Sequence, residues 1–296
     1  MHVAVSGGTG FIGRPLVDTL LLQGHQVRLL TRDPRRVAAR SGVQAAALFP
    51  APDVGGCDAV VNLAGEPINQ RWSAAARRRI LDSRVQATSA IAEAARRSGT
   101  VKVMVSASAT GFYGGARGDE ALDEGDSPGN DFTARVCSAW EEAARPAEQA
   151  GLRLALLRIG VVLHTDGGAL QKMLPPFKLG LAGPLGSGRQ WMSWVHRDDV
   201  VSLVLHALRT EAASGPLNAT APEPVTNADF TKALGRALHR PTFLRAPAAA
   251  LRLALGEMST LLLDGQKVLP RRTLETGFRF AYPTLDAAFA QLFGRN

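Results

Sequence analysis

The chain has 296 residues, 46% of them hydrophobic and 20% charged, enough to bury a full core as one large domain or as one domain with an appendage. Its formal charge of +8 comes from arginines spread along the chain, with lysine only at Lys102, Lys172, Lys178, Lys232 and Lys267, and no basic block is interleaved with aromatics, which argues against a nucleic-acid partner. Cys57 and Cys137 are the only cysteines, too few for a disulfide framework and without metal-ligand spacing. No signal peptide precedes the first strand candidate, and the apolar run Leu154 to Leu163 is short and broken by Arg158. The expectation is therefore a cytoplasmic protein with no metal and no membrane partner.

The first element is a short strand, His2 to Ser6, followed by Gly7-Gly8-Thr9-Gly10-Phe11-Ile12-Gly13. A helix follows, with Ile12, Leu16, Val17, Leu20 and Leu21 on one face and Gly24 where a left-handed terminating residue is wanted. Strand, glycine loop and helix in that order form a dinucleotide site: Gly7 permits the turn, Gly10 lets backbone approach a pyrophosphate, and Gly13 lets the helix pack close. Strands are then predicted at 27–31, 45–49 and 59–64, and a long helix at 73–98 with Ser73 as its N-cap. A strand at 102–106, a helix at 132–150 and a strand at 152–163 follow. The stretches 180–188 and 218–225 read as loops, so the C-terminal third is expected to be a smaller, less periodic lobe. Such alternation implies an α/β fold, a Rossmann-type doubly wound parallel sheet covered on both faces, with that smaller lobe at its C-terminal end.

The end of the second strand discriminates between the nicotinamide dinucleotides. An acidic residue there accepts hydrogen bonds from ribose hydroxyls, whereas a 2′-phosphate is repelled by it and held by arginine. Here the position is Thr31-Arg32, with Asp33 one residue on as a turn residue before Pro34 and with Arg35 and Arg36 nearby. NADP is expected over NAD.

These features, together with Val61-Asn62-Leu63-Ala64-Gly65-Glu66-Pro67-Ile68, Asp82-Ser83-Arg84-Val85 and Ser106-Ala107-Ser108-Ala109-Thr110-Gly111-Phe112-Tyr113-Gly114, resemble the extended short-chain dehydrogenase/reductase superfamily. More narrowly, Gly167-Gly168-Ala169-Leu170, Gly183 to Gly188, Gln190 to His196 and Gly265-Gln266-Lys267-Val268 resemble its atypical "epimerase family protein" branch, over essentially the whole chain. The resemblance implies that Gly7, Thr9, Gly10, Phe11, Ile12, Gly13, Thr31, Arg32, Leu63, Ala64, Gly65, Arg84 and Val162 contact the cofactor. It also implies a nucleotide-binding domain at 1–246 with insertions after residue 164 that form a small C-terminal α/β substrate lobe, and a family-specific C-terminal domain at 247–296. A small-molecule substrate is implied as well, as is the homodimer that extended relatives form through helices, here 73–98 and 132–150. Asn62 to Gly65 also reads as a plain buried strand end, and Arg84 as a polar helix face.

The chain departs from the superfamily in its chemistry. A typical member uses a Tyr-x-x-x-Lys pair, four residues apart on one helix face, in which the lysine cation lowers the phenol pKa for proton exchange. The tyrosines here are Tyr113 and Tyr282, followed at the fourth position by Arg117 and Asp286, so the pair is absent; counting back from Glu141 places Thr133 and Cys137 at its positions. Two readings follow. In one, an NADP-dependent oxidoreductase or epimerase-like enzyme uses Ser108 and Tyr113 as catalytic residues, with Trp191, Trp194 and His196 in the substrate pocket and His196 as a second candidate acid. In the other, the chain binds NADP as a sensor or regulatory protein with little or no catalysis. Tyr113 also reads as a pocket-lining residue, Trp191 and Trp194 as core anchors, and His196 as a helix cap.

Overall fold

Seven parallel strands form the central sheet, in the order β11 (Gly215–Ala219), β7 (Arg153–Ile159), β5 (Val103–Ala109), β4 (Ala59–Asn62), β1 (His2–Ser6), β2 (Gln26–Thr31) and β3 (Val43–Ala47). The computed structural model describes residues 1–294, with Ala116 by its backbone alone. One half of the sheet is built from β1 (His2–Ser6), α1 (Gly13–Leu22), β2 (Gln26–Thr31) and β3 (Val43–Ala47). The chain then returns past β1 to lay down β4 (Ala59–Asn62), α2 (Ala74–Ser98) and β5 (Val103–Ala109) on the other side. The strand order therefore reverses between β1 and β4, and the crevice at their C-terminal ends is where an open α/β sheet takes a ligand. Leu16, Leu20, Val105 and Leu203 pack on one face of the sheet, and Ile91, Met104, Leu154 and Leu156 on the other. The capping expectations hold: Ser73 Oγ accepts from Ala76 N, and Gly24 is left-handed at φ 76°.

After β6 (Ala116–Leu122), the helix expected over 132–150 is two helices, α3 (Phe132–Glu142) and α4 (Arg145–Gln149). Pro146 sits in the first turn of α4, where its missing N–H leaves no bond unmade. The strand expected over 152–163 is also two: β7 (Arg153–Ile159) in the main sheet, and β8 (Val161–Leu163), which leaves it. They part at Gly160, which approaches Ser193 so closely that a side-chain carbon there would lie 2.4 Å from its carbonyl oxygen. Next come α5 (Gly168–Lys178), β9 (Trp191–Met192), β10 (Trp194–His196), which pairs with β8, and α6 (Arg197–Arg209). The expected loop at 218 instead lies in β11 (Gly215–Ala219), which joins the sheet edge beside β7. Its sequence, Gly-Pro-Leu-Asn-Ala, carries little strand propensity, and the pairing with β7 supplies what propensity does not.

The remaining elements are β12 (Val225–Thr226), α7 (Asn227–Leu238), α8 (Ala248–Leu255), α9 (Thr260–Leu263), β13 (Gly265–Val268), α10 (Arg271–Glu275) and α11 (Leu285–Phe293). The segment from 247 onward is distributed over the body. Met258 packs with Trp72 and Ile80, Val268 with Tyr113, Phe278 with the sheet core and Phe289 with Phe230. Strand β13 pairs in parallel with β6, and Arg77 of α2 pairs with Glu257. Among the described residues no helix is long and apolar enough to cross a membrane.

Candidate functional site: the crevice after β1 and β4

The turn out of β1 is sterically exacting. Gly7 has φ 70°, and a side-chain carbon on it would lie 2.6 Å from Leu63 O; one on Gly13 would lie 2.1 Å from Gly7 O. The loop and the start of α1 thus press backbone against backbone beside Leu63, as the sequence predicts. Gly10 N donates to Gly7 O at 2.9 Å, and Arg14 Nε holds Thr9 O at 2.8 Å. The N–H groups of Phe11 and Ile12 have no protein acceptor among the described residues, and the first turn of α1 contains no acid. Unpartnered amides at a helix N-terminus fit a pyrophosphate. Gly13→Ala is expected to prevent dinucleotide binding and to lower stability by about 1–3 kcal/mol, measured by nucleotide titration and urea unfolding; unchanged binding would contradict it.

At the end of β2, Thr31 is half-buried and Arg32 is exposed. Asp33 turns away: its Oδ1 accepts from Arg35 N at 3.2 Å, capping the short helical turn 34–36, and its carboxylate pairs with Arg35 at 3.1 Å and Arg36 at 3.8 Å. The edge of the crevice therefore presents guanidinium, with its carboxylate consumed locally.

Below the crevice lies a buried polar layer. Ser6 Oγ donates to Asn62 Oδ1 at 2.6 Å, and Asn62 Nδ2 donates to Thr88 Oγ1 at 2.7 Å. Asn62 Oδ1 also takes Ala64 N at 3.3 Å, which fixes the Leu63-Ala64-Gly65 backbone as it leaves β4. Arg84, on α2, reaches this backbone: its guanidinium lies against Gly65, donates to Glu66 O and Ile80 O at 3.0 Å each, and stacks 4.9 Å from the Trp140 ring. Burial holds Arg84 below the usual guanidinium range, opposed by Cys137 and Glu66. The Val162 carbonyl lies beside Gly168, which the Phe11 ring covers.

A cluster that sequence reasoning missed supports Phe11. Arg197 stands 5.4 Å over its ring and donates to both oxygens of Asp166 at 2.7 and 2.8 Å, while His164 Nδ1 meets Asp166 at 2.6 Å. His164-x-Asp166 is visible in the sequence, but nothing local ties it to Arg197 or Phe11.

The proposed catalytic pair is placed differently from expectation. Ser108 is buried, and its Oγ donates to Glu141 Oε1 at 2.7 Å. Glu141 in turn holds Arg158 through Nε at 2.9 Å and Nη2 at 3.0 Å. Tyr113 is fully buried; its hydroxyl donates to Asn218 Oδ1 at 2.7 Å and accepts from Arg158 Nη1 at 3.0 Å. Burial pushes the phenol up to about 12 despite Arg158. Tyr113, expected as a catalytic or pocket-lining residue, instead sits in the core, where its hydroxyl ties β11 to β7. Tyr113→Phe is expected to cost about 1–2 kcal/mol in urea unfolding, because Asn218 and Arg158 lose a buried partner, with nucleotide affinity unchanged; a large loss of affinity would restore the catalytic role. At the positions of the missing pair, Thr133 Oγ1 donates to Asp131 at 2.7 Å, and Cys137 is buried with its thiol raised to about 12 by desolvation. Gly111 lies directly over both.

The three substrate-pocket candidates also separate. Trp194 is fully buried and donates through Nε1 to Glu223 O at 3.0 Å, so it anchors the core. His196 is fully buried: its Nδ1 accepts from Asp198 N at 3.2 Å, capping α6, and its Nε2 faces Gln291 Oε1 at 3.0 Å. The structure matches the second reading that the sequence offers for each, Trp194 as a core anchor and His196 as a helix cap, with their side-chain polar atoms engaged inside the fold. Trp191 is half-buried, bonded to Asp119 at 2.7 Å and faced by Lys267 Nζ at 4.5 Å. Burial lowers the His196 pKa against the opposing pull of Asp198 and Gln291, with His164 and Arg197 adding to the lowering; burial likewise lowers His206. The unfolded chain then binds more protons as pH falls below the ordinary histidine range near about 6.5, so stability is retained above that range and lost below it. The urea midpoint is expected to fall between about pH 7 and pH 5; a midpoint that rises on acidification would contradict this.

The profile of the NAD dependent epimerase/dehydratase family matches residues 3–219, and that of a domain of unknown function, DUF1731, matches residues 246–292. The chain is 43% identical over 300 residues to the epimerase family protein SDR39U1 homolog, chloroplastic, of Arabidopsis thaliana, covering 95% of this chain and 84% of the relative. It is 36% identical over 297 residues to the epimerase family protein YfhF of Bacillus subtilis, covering 99% and 98%. Among solved structures it is similar to human epimerase family protein SDR39U1 (isoform 2) with NADPH, at TM-score 0.90 and 37% identity over 99% of both chains. It is also similar to a nucleoside-diphosphate sugar epimerase of Corynebacterium glutamicum, at TM-score 0.81 and 34% identity over 99% of this chain and 58% of that one. With a Rossmann crevice whose glycine loop cannot accept side chains and a family profile spanning most of its length, the chain belongs to the NAD dependent epimerase/dehydratase family.

Proposed function

We propose that the chain is an NADP(H)-dependent oxidoreductase or epimerase-like enzyme acting on a small carbonyl, alcohol or sugar-type substrate. The observation that carries the cofactor choice is at the end of β2, where Asp33 is spent on Arg35 and Arg36 and leaves Arg32 to meet a 2′-phosphate. Residues Gly7 to Gly13 and the amides of Phe11 and Ile12 would hold the pyrophosphate, the Leu63 to Gly65 backbone the adjoining ribose, and Val162 would lie on the nicotinamide side. The NADPH in the human SDR39U1 structure supports this reading, and the likeness to the nucleoside-diphosphate sugar epimerase of Corynebacterium glutamicum supports the substrate class. When bound, NADP(H) supplies or accepts a hydride.

The engagement of Ser108 by Glu141, of Tyr113 by Asn218 and Arg158, and of His196 by Gln291 favours a second reading, in which the chain binds NADP(H) as a sensor without turnover. NADPH deuterated at the transferable C4 position, incubated with the protein and a panel of carbonyl compounds and keto nucleotide sugars, and NADP+ incubated with nucleotide sugars deuterated at their carbinol carbons, together separate the two. Deuterium passed to a product or to the coenzyme is the expected result. Coenzyme that binds yet neither gives up nor takes up label against the whole panel would overturn the enzymatic reading and leave the sensor.

A further inference from the structure

One face combines protruding apolar side chains with cations, and the two stretches that form it carry no carboxylate of their own. Between Asp166 and Asp198, and again between Asp229 and Glu257, the sequence contains no Asp or Glu. The fold joins these two acid-free stretches into one surface. Leu244 N donates to Ala182 O at 3.3 Å, Ala246 N to Pro184 O at 3.1 Å and Gly186 N to Ala246 O at 2.9 Å, and Arg240 Nε donates to Lys178 O at 2.9 Å. Leu179, Leu181 and Phe243 protrude from this seam with 71%, 59% and 73% of their surface exposed. The chain continues into α8, Ala-Ala-Ala-Leu-Arg-Leu-Ala-Leu, which buries none of its residues and exposes Leu253 to 87%.

Lys172, Lys178 and Arg245 are exposed along the same stretches, and none of them makes an ion pair among the described residues. Arg236 is engaged by Asp286 at 3.4 Å and Arg252 is drawn to Asp264, so neither is counted. Beside the seam, at the end of α7, an open basin of about 720 Å³ is lined by Lys232, Arg236, His239 and Arg240 and contains no acid.

Large exposed apolar patches on a folded protein mark contact surfaces. Leucines and a phenylalanine backed by cations match the boundary between acyl chains and anionic headgroups, where apolar area inserts and each Lys or Arg adds attraction. A second copy is disfavoured, because a symmetric interface sets the patch against itself and brings cation against cation. These side chains protrude from a loop and helix ends, a shape that a deformable surface accepts. We propose, against the sequence-based expectation of no membrane partner, that this face docks reversibly on a membrane surface carrying anionic lipid headgroups.

Co-sedimentation of the full chain with phosphatidylcholine vesicles, with and without phosphatidylglycerol, tests this. Binding is expected only with phosphatidylglycerol, and it should weaken with added salt. Lys178→Glu/Arg245→Glu should reduce partitioning about thirtyfold or more, and Leu181→Asp/Phe243→Asp should abolish it, both with wild-type Tm and circular dichroism. Three results would overturn the proposal: no sedimentation at low salt, equal sedimentation with uncharged vesicles, or undiminished binding by the folded variants. A concentration-dependent dimer lost in Leu181→Asp/Phe243→Asp, with no vesicle binding by the wild type, would overturn it in favour of a homotypic interface.

Discussion

Arg32→Ala is expected to weaken NADPH binding by about ten- to a hundredfold and to leave NADH binding within a factor of about three. The range follows from a charge-assisted hydrogen bond worth about 1.5–3 kcal/mol to a phosphate at a partly exposed site. Because the site is open to solvent, the wild-type preference should shrink with added salt while that of the variant stays flat. Arg35 and Arg36 already share Asp33 and are not positioned to replace it without breaking those contacts. Fluorescence titration of the variant with both coenzymes decides the matter: equal losses for NADPH and NADH would show that residue 32 does not meet the 2′-phosphate.

The largest stability effect is expected at the buried ion pair behind Ser108. Glu141 and Arg158 expose 6% and 4% of their side chains, and Arg158 also lies 3.4 Å from the Phe112 ring centroid. Glu141→Leu leaves the guanidinium buried without its carboxylate, a loss of about 3–5 kcal/mol and a fall on the order of 10 °C in Tm. Adding Arg158→Met should recover most of the loss, since an apolar pair of similar volume needs no desolvated charge. A single variant of wild-type stability would show that the pair does not carry this part of the core. A double variant no better than the single would show that the loss comes from packing and from Ser108, whose hydroxyl also depends on Glu141.

Half of the site was readable from residue order alone. Close backbone approach at Gly7 and Gly13 admits only glycine, so sequence and structure agree there, and the Thr31-Arg32 step needs no distant partner to be informative. Arg84 was legible as a polar residue on a helix face; its contact with Gly65 and Trp140 depends on how α2 and α3 pack. Local patterning left two readings open where long-range packing decides. Ser108, Tyr113, Trp194 and His196 are residue types that perform chemistry in a cleft, yet the side chain of each has a partner well separated in sequence, from Glu223 for Trp194 to Asn218 for Tyr113. Arg158 in the middle of an apolar strand requires a buried carboxylate, and Glu141 supplies it. The split of 152–163 had a local cause, Gly160, but the close approach of Ser193 that makes it necessary appears only in three dimensions.

Isothermal titration of the wild-type chain with NADPH and with NADH tests the account most directly. The prediction is saturable one-to-one binding of NADPH, at least about tenfold tighter than NADH at low salt. Absence of saturable binding by either coenzyme, or a preference for NADH, would contradict the assignment of the β1–β4 crevice and of Arg32.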